Sequence, residues 1–591
     1  MQAAKEKPFT TKLTALNSFD WSQVVCCCHK FFVYLYHKFK TMKKLIISTI
    51  IFGVVTAVNA ATAQFDNFSY TGLDSIYASP LTEPGEYYNP VISGWASDPS
   101  VVGRDGDYWL VTSTFGYFPG VPIYHSRDLM TWTQVGNVLS RPEQLPWLQG
   151  VSLGKGGIYA PAISYNPANG LFYMITTCVN GNESINFYVT ATDPTGQWSD
   201  PVVLPDVHGI DPSFFFDDDG KAYIVHKADE HSPVKWSNYR ALAIIEFDTS
   251  TGKTVGEPVL FKEEGVGPEE QLERNEGPHI YKINSKYYLI AAEGGTSWCH
   301  SEVCYKADNI YGPWRRWSRG PMLTQRLQKT NRPLPVTCAG HADLVEKDGR
   351  WLAVFLGCRP WSEGSEHLGR ETFMMPVRWS ADSFPYITQN LDLVPIKTNI
   401  PATETQQPGQ AGNFTWTDTF RSPSLDPGWI SLWGSPAEMV TVGDGLVMQC
   451  APVDTRSGIT PAYVGRRMQH HDFEVTTTVT LSRDAKDTDA AGLLLVKSEQ
   501  RQLFLAVTPT GISLMKPGGK VVASVDLKTL GRPVELRAES RDGNHIFSYR
   551  IADSRPGDFI TLDAVSRDWL QSSSGGFTGS TIGLFATSAP F

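Results

Sequence analysis

Three carboxylates and one histidine in this chain occupy matching points of a repeated pattern. They are Asp98 in Asp98-Pro99-Ser100, Asp211 in Asp211-Pro212-Ser213, Glu276 in Glu276-Gly277-Pro278, and His341 in His341-Ala342-Asp343. Two carboxyl groups flanking a bond are the minimum for cleaving a glycosidic linkage. One, protonated, donates to the leaving oxygen; the other, ionised, activates water or attacks the sugar. A third carboxylate nearby raises the acid's pKa, because like charges disfavour ionisation. Taken singly, each residue has a plainer reading. Asp-Pro-Ser commonly starts a turn, Glu-Gly-Pro reads as an acidic loop, and an isolated histidine is most often structural. The shared phase singles them out. Asp217-Asp218-Asp219-Gly220, by contrast, lacks the rest of an EF-hand ligand pattern and falls where a hairpin turn belongs.

The pattern recurs five times, beginning at Asp98, Ala160, Asp211, Gly277 and His341, with spacings of 62, 51, 66 and 64 residues. Each copy runs from a small residue into an apolar strand, a DG, NG or NS turn, and an aromatic-rich strand, which predicts a hairpin. Further short strands, such as 121–126 and 241–247, lie between copies. Four strands per unit, five times over, predict an all-β chain built on a five-bladed β-propeller over residues 80–397. A pair of β-sandwiches would need no equivalent first residue in each unit. In a propeller the innermost strands line the axis, so these first residues should face one cavity. Residues 398–413, rich in Thr, Gln, Pro and Gly, read as a linker. Short alternating strands resume over 414–591, for example 473–481, 492–496 and 503–508, and suggest a β-sandwich. The chain stops directly after the strand-like TIGLFATS, so this sandwich either lacks a closing strand or takes one from elsewhere.

Composition narrows the function. The 591 residues predict two to four domains, and 51 Gly plus 39 Pro are too few for a disordered chain. The net charge is −10 with no Lys/Arg-rich run, which argues against a nucleic-acid partner. With 17 Trp, 23 Tyr and 29 Phe, the chain is rich in rings that fill cores and also stack on sugars. Residues 42–63 read as a signal peptide: Met42-Lys43-Lys44, an apolar run from Leu45 to Val58, then Ala61-Thr62-Ala63 before Gln64. That run of 14 residues is short for a membrane span. Export to the periplasm or medium is expected, with no membrane span in the mature form. Residues 1–41, which hold Cys26-Cys27-Cys28, then read as a non-native extension upstream of a start at Met42. Residues 1–63 carry eight lysines and two acids, leaving −16 on the remainder. Cys178, Cys299, Cys304, Cys338, Cys358 and Cys450 remain, none in a CxxC pair, so a zinc ribbon is not expected. One disulfide or buried free thiols fit equally well.

Seven stretches together resemble glycoside hydrolase family 43 in its β-xylosidase and α-L-arabinofuranosidase branch. They are NPVISGWASDPSVV (89–102), STFGYFPGVPIYHSRDLMTW (113–132), GIYAPAIS (157–164), GIDPSFFFDDDG (209–220), EGPHIYK (276–282), AGHADLV (339–345) and LGRETFMMPVRW (368–379). The part from 414 resembles the concanavalin-A-like sandwich that follows the propeller in this branch. The resemblance implies an inverting, exo-acting hydrolase that removes terminal pentoses from xylan or arabinoxylan oligosaccharides. Xylan 1,4-β-xylosidase is the first reading and α-L-arabinofuranosidase the second. Carried over by motif, Asp98 is the general base, Glu276 the general acid, and Asp211 tunes the acid and orients the sugar. An inverting pair should stand roughly 6.5–9.5 Å apart. Arg370 would hold sugar hydroxyls, Phe115 and Tyr159 would wall the pocket, His341 matches the family's axial histidine, and Phe577 resembles a ring lent by the sandwich. The family often has Trp at Tyr159 and a polar residue near Ala162, so the pocket wall departs from its pattern. No cofactor is required. Some relatives carry calcium in the propeller channel, which would place an ion near His341. The rival from another class is a carbohydrate-binding propeller without catalysis, which would be expected to lack one of the three carboxylates.

Overall fold

The computed structural model describes residues 60–591 except 229–239, 262, 265–273, 330–331, 333–334, 363–365, 401–410, 553–557 and 572–575. The upstream extension, nearly all of the signal segment and most of the linker lie outside these. Among the described residues the structure is strands, turns and a few short 3-10 turns. No helix there is long and apolar enough to cross a membrane.

Five sheets follow one another along the chain, antiparallel but for the pairing of Glu263–Glu264 with Trp314–Arg316 in the fourth, with innermost strands Ser100–Arg104, Gly157–Asn166, Ile210–Phe216, Glu276–Ile283 and Thr337–Lys347. Local sequence explains the hairpins. Asp105-Gly106, Asn284-Ser285 and Asp348-Gly349 all have positive φ (54° and 84°, 51° and 61°, 52° and 74°). That pairing is the twist-matched two-residue turn favoured between antiparallel strands. Asp217 to Gly220 form the turn between Ile210–Phe216 and Ala222–Lys227, as expected, and Lys282 salt-bridges Asp217 at 2.7 Å.

The inner strands are stitched into a ring by side chains. Ser100 Oγ accepts from the Ile163 N–H (3.0 Å), joining the first and second sheets. Ser164 Oγ donates to the Phe214 carbonyl (3.2 Å), joining the second and third, and Ser213 Oγ donates to the Pro278 carbonyl (2.6 Å), joining the third and fourth. Tyr281 O–H donates to Asp343 and accepts from the Leu344 N–H, joining the fourth and fifth. Asp343 Oδ2 accepts from Ser100 Oγ (2.7 Å) and from the Val101 N–H (2.9 Å), which closes the fifth sheet onto the first. The serines of the two Asp-Pro-Ser motifs thus work as inter-sheet ties.

Two further sheets form the sandwich, with Phe65, Val475, Leu493, Leu505 and Leu536 buried in its core. Phe473–Leu481 (FEVTTTVTL) alternates strictly between buried and half-buried positions, as a strand with one face in a core must. Two strands of one of these sheets come from residues 62–72. Thr62–Phe65 inserts between Gly445–Gln449 and Phe473–Leu481, and Phe68–Gly72 pairs with Phe473–Leu481 and Thr415–Asp418. The sandwich therefore extends beyond 414–591 to include residues 62–72. The sequence hides this because two short strands more than 340 residues from their partners carry no local signal. Ala63, placed in the sequence at the end of the signal segment, is fully buried in this strand. The two domains share a core: Phe115 and Tyr117 pack with Tyr463, Leu494, Phe504 and Phe585, and Tyr117–Phe118 pairs with Ser431–Leu432.

Asp343 serves four donors at the ring's closure, and its removal takes that acceptor from Ser100 Oγ, the Val101 N–H and the Tyr281 O–H, while the Leu344 N–H keeps Tyr281 Oη. Asp343→Ala should cost about 2–4 kcal/mol in urea denaturation, against about 1 kcal/mol for a surface hairpin acid such as Asp105→Ala. Equal losses would show that the ring does not depend on this residue.

Candidate active site

The residue that the repeats align enters or interrupts every inner strand in the left-handed region. φ is 55° at Asp98, 31° at Ala160, 56° at Asp211, 56° at Gly277 and 52° at His341. In four of the sheets the ladder slips at this point. Such a bulge takes one side chain out of the strand's alternation and re-aims it. A non-glycine residue there costs about 1–3 kcal/mol, strain that persists only where packing over-determines it. In the fourth sheet Gly277 takes the strained backbone, and Glu276 beside it supplies the carboxylate. A Cβ at Gly277 would lie 2.5 Å from His341 Nε2, so glycine is required twice over.

The bulges converge on a cavity of about 190 Å³. Asp98, Asp211, Glu276, Phe115, Tyr159, His341, Arg370 and Phe577 all border it. The structure therefore brings together every site residue expected from the sequence. Three rings form one wall: Phe115 stacks on Phe577 (centroids 5.8 Å, 27°), and Tyr159 meets both edge-on at 5.4 and 5.7 Å. Phe577 is held there by its backbone N–H, which donates to the Gly154 carbonyl at 2.8 Å. The Arg370 guanidinium lies 5.4 Å from the Phe577 ring centre.

The carboxylates experience different fields. Asp98 Oδ1 is 3.0 Å from Arg370 Nη1 and 3.6 Å from His341 Nδ1, and Oδ2 accepts from Ser113 Oγ at 2.6 Å. Burial pushes the Asp98 carboxyl up, but Arg370, then His341 and the serine hydroxyls, outweigh it and hold the group below its ordinary range. Asp211 is the opposite case. Burial first, then the charge of Glu276, pushes it up to about 8. The nearby Lys227 and the Gly277 N–H, which donates to Asp211 Oδ2 at 3.2 Å, oppose that rise without cancelling it. The Asp211–Glu276 pair therefore holds a proton at neutral pH while Asp98 is ionised. His341 is buried, and burial lowers its pKa despite the attraction of Asp98 and Glu276.

Sequence reasoning missed Lys227, whose Nζ lies 3.2 Å from Glu276 Oε2. It sits on the second strand of the third hairpin, directly opposite Ile210, the residue before Asp211. Counting back along the hairpin from the DDDG turn would have found it. Ile210 and Thr296 also border the cavity without having been singled out. For the calcium ion that the resemblance suggested, the residues around His341 do not fit. Calcium takes roughly six to eight oxygens. The carboxylates nearest this ring are already held by cations, Asp98 by Arg370 and Glu276 by Lys227.

Comparison with known proteins gives this geometry a lineage. The model of glycosyl hydrolases family 43 matches residues 87–385, and that of the β-xylosidase C-terminal concanavalin A-like domain matches 417–590. The chain belongs to glycosyl hydrolases family 43. It is a glycosidase with an all-β propeller followed by a concanavalin-A-like sandwich. A xylosidase/arabinosidase of Butyrivibrio fibrisolvens is 32% identical over 515 residues, covering 85% of this chain and 95% of the relative. A non-reducing-end α-L-arabinofuranosidase of Bacteroides ovatus is 34% identical over 521 residues, covering 85% and 91%. Among solved structures, a family 43 enzyme from a capybara gut metagenome superposes with a TM-score of 0.81 at 37% identity, covering 89% of this chain and all of that one. A xylan β-1,4-xylosidase from Bacillus halodurans gives 0.73 at 26% identity, covering 85% and 97%.

Lys227 favours the ionised form of the buried Asp211, so its removal should make the proton held there harder to lose. In Lys227→Met the alkaline limb of the kcat/KM profile, which reports loss of that proton, should move to higher pH. An unmoved or lowered limb would show that Lys227 does not tune the pair.

Proposed function

We propose that this glycosidase is an inverting, exo-acting enzyme that removes terminal pentoses from xylan and arabinoxylan oligosaccharides, acting first as a xylan 1,4-β-xylosidase. The observation that carries the reading is the division of charge in one cavity: an ionised Asp98 gripped by Arg370, and a proton-bearing Asp211–Glu276 pair beside Lys227. Asp98 accepts a proton from water as the water oxygen attacks the anomeric carbon. The bond from that carbon to the leaving oxygen breaks, and Glu276 gives that oxygen its proton. Asp211, too strongly desolvated to ionise beside Glu276, keeps the acid supplied with a proton. Arg370 orients Asp98 and offers its remaining donors to sugar hydroxyls. The Phe115, Tyr159 and Phe577 rings give the sugar an apolar wall, and Phe577, brought from the sandwich, favours a closed end that admits one terminal residue.

A second reading, α-L-arabinofuranosidase, is favoured by the Bacteroides ovatus relative's name. The two pentosides can present similar hydroxyl positions, so one pocket can serve both. Aryl β-D-xyloside and aryl α-L-arabinofuranoside assays rank them; turnover of neither, with sugar binding retained, would leave a binding module. We also propose export through the signal-like segment 42–63. Mass analysis of the protein recovered outside the cytoplasm tests this, and residues 1–41 in that product would contradict it.

The roles of the two carboxylates separate by leaving group. Glu276→Ala should lose about 10²–10⁴-fold in kcat on xylobiose and far less on an aryl xyloside with an acidic phenol, while Asp98→Ala should lose a comparable factor on both. Equal losses for Glu276→Ala on the two substrates would remove it as the acid.

A further inference from the structure

Beside the sugar cavity lies a second group of ligating side chains that the hydrolytic reaction does not use. Cys338 belongs to the fifth inner strand, three residues before His341, and has φ of 57°. Cys358 ends the neighbouring strand Arg350–Cys358, where it pairs with Thr337 on one side and with Arg370 on the other. Glu366 precedes the turn that leads into Arg370, and its carbonyl accepts from the Gly369 N–H at 3.0 Å. The two sulfurs and a Glu366 carboxylate oxygen all lie within 4.8 Å of one another. The Cys338 thiol donates to Glu366 Oε1 at 3.4 Å. Both cysteines are buried, and Glu366 is half-buried.

We propose that Cys338, Cys358 and Glu366 form a binding site for a thiophilic divalent cation of the zinc type, adjacent to the sugar cavity and separate from it. Tetrahedral zinc with sulfur at about 2.3 Å and oxygen at about 2.0–2.2 Å sets neighbouring ligand atoms roughly 3.5–3.8 Å apart. The sulfur-to-carboxylate distance already approaches that edge, so the side chains need only small rotations. Two thiolates and one carboxylate are a soft set, which selects zinc or cadmium over calcium or magnesium. Binding displaces one proton from each thiol to solvent, with the sulfur lone pairs going to the metal and no change in oxidation state. The loaded site carries three negative ligand charges against two positive on the ion. Lys497, whose Nζ donates to the Glu366 carbonyl at 3.3 Å, and Arg370 across the strand from Cys358 offset the excess. Three protein ligands leave the fourth position to water, so the site takes up and releases its ion without holding the fold together.

This position has a consequence for activity. Arg370 holds Asp98 and is the cross-strand neighbour of Cys358. A cation that draws Cys358 toward Glu366 acts on the strand pair carrying the Asp98 clamp, so occupancy should lower kcat more than it raises KM. That effect rests on the proposed role of Asp98; the binding itself does not.

Cadmium is the probe, because its thiolate bonds give an ultraviolet charge-transfer band. Titration of the reduced full-length protein, with Cys26, Cys27 and Cys28 replaced by serine so that this run of thiols binds no metal, should give a band that saturates at one equivalent in excess calcium and magnesium. Cys338→Ser and Cys358→Ser should each abolish it, and Glu366→Gln, which keeps side-chain shape, should weaken binding at least 10-fold. Thermal melts without metal check folding, and Glu366→Gln gives an independent reading should a cysteine variant misfold. Activity should fall in step with the band in the parent and not in Cys358→Ser. A band that survives both cysteine substitutions would overturn the site, as would alkylation mapping that finds the two sulfurs already joined as a disulfide. A band that obeys these rules without loss of activity would keep the site and overturn the link to Asp98.

Discussion

The site depends on the ring of five inner strands closing with one left-handed residue at each aligned position. Ordinary alternation would send successive side chains up and down each sheet and leave the carboxylates 113 and 65 residues apart in sequence with no reason to meet. The bulge at each strand's axial residue breaks that alternation. The ties from Ser100, Ser164, Ser213, Tyr281 and Asp343 then fix how far each bulge projects. The strain at Asp98, Asp211 and His341 is offset by the buried ladders around them, and those ladders place the three groups about one axis.

Given that convergence, the chemistry follows from which cation each carboxylate meets. Asp98 has Arg370, always charged and bound directly, so its negative charge survives burial. Asp211 has no direct ion pair among the described residues and shares its surroundings with Glu276, so one proton stays on the pair. A base and an acid poised at the same pH thus arise from one cavity by the placement of an arginine and a lysine. His341, kept neutral by burial and packed against Gly277, stands between the two halves as a spacer.

Much of this was legible in the sequence because repeats turn position into geometry. Once five copies were aligned, Asp98, Asp211, Glu276 and His341 were expected to face one axis, whereas Phe115, Tyr159 and Arg370 came only from the resemblance to family 43. Residues on second strands were harder. Lys227 has no motif and becomes visible only when the register of its hairpin is counted. The sandwich was legible from Phe473–Leu481 onward, where alternation is strict. It was illegible at Thr62–Phe65, whose place in the middle of a sheet is decided by distant partners in Gly445–Gln449 and Phe473–Leu481. Non-local pairing leaves no trace in a window of ten residues, which is why two strands of the sandwich escaped the sequence reading.

The sandwich matters to catalysis through a single ring: Phe577 reaches the cavity because the two domains share one apolar core around Phe115, Tyr117 and Tyr463. The central claim remains that Asp98 delivers water to the face of the sugar opposite Glu276. Proton NMR of the first sugar released from an aryl β-D-xyloside, recorded before mutarotation, tests it most directly. The account requires α-xylose as the initial product; β-xylose, the mark of a covalent intermediate and retention, would contradict it.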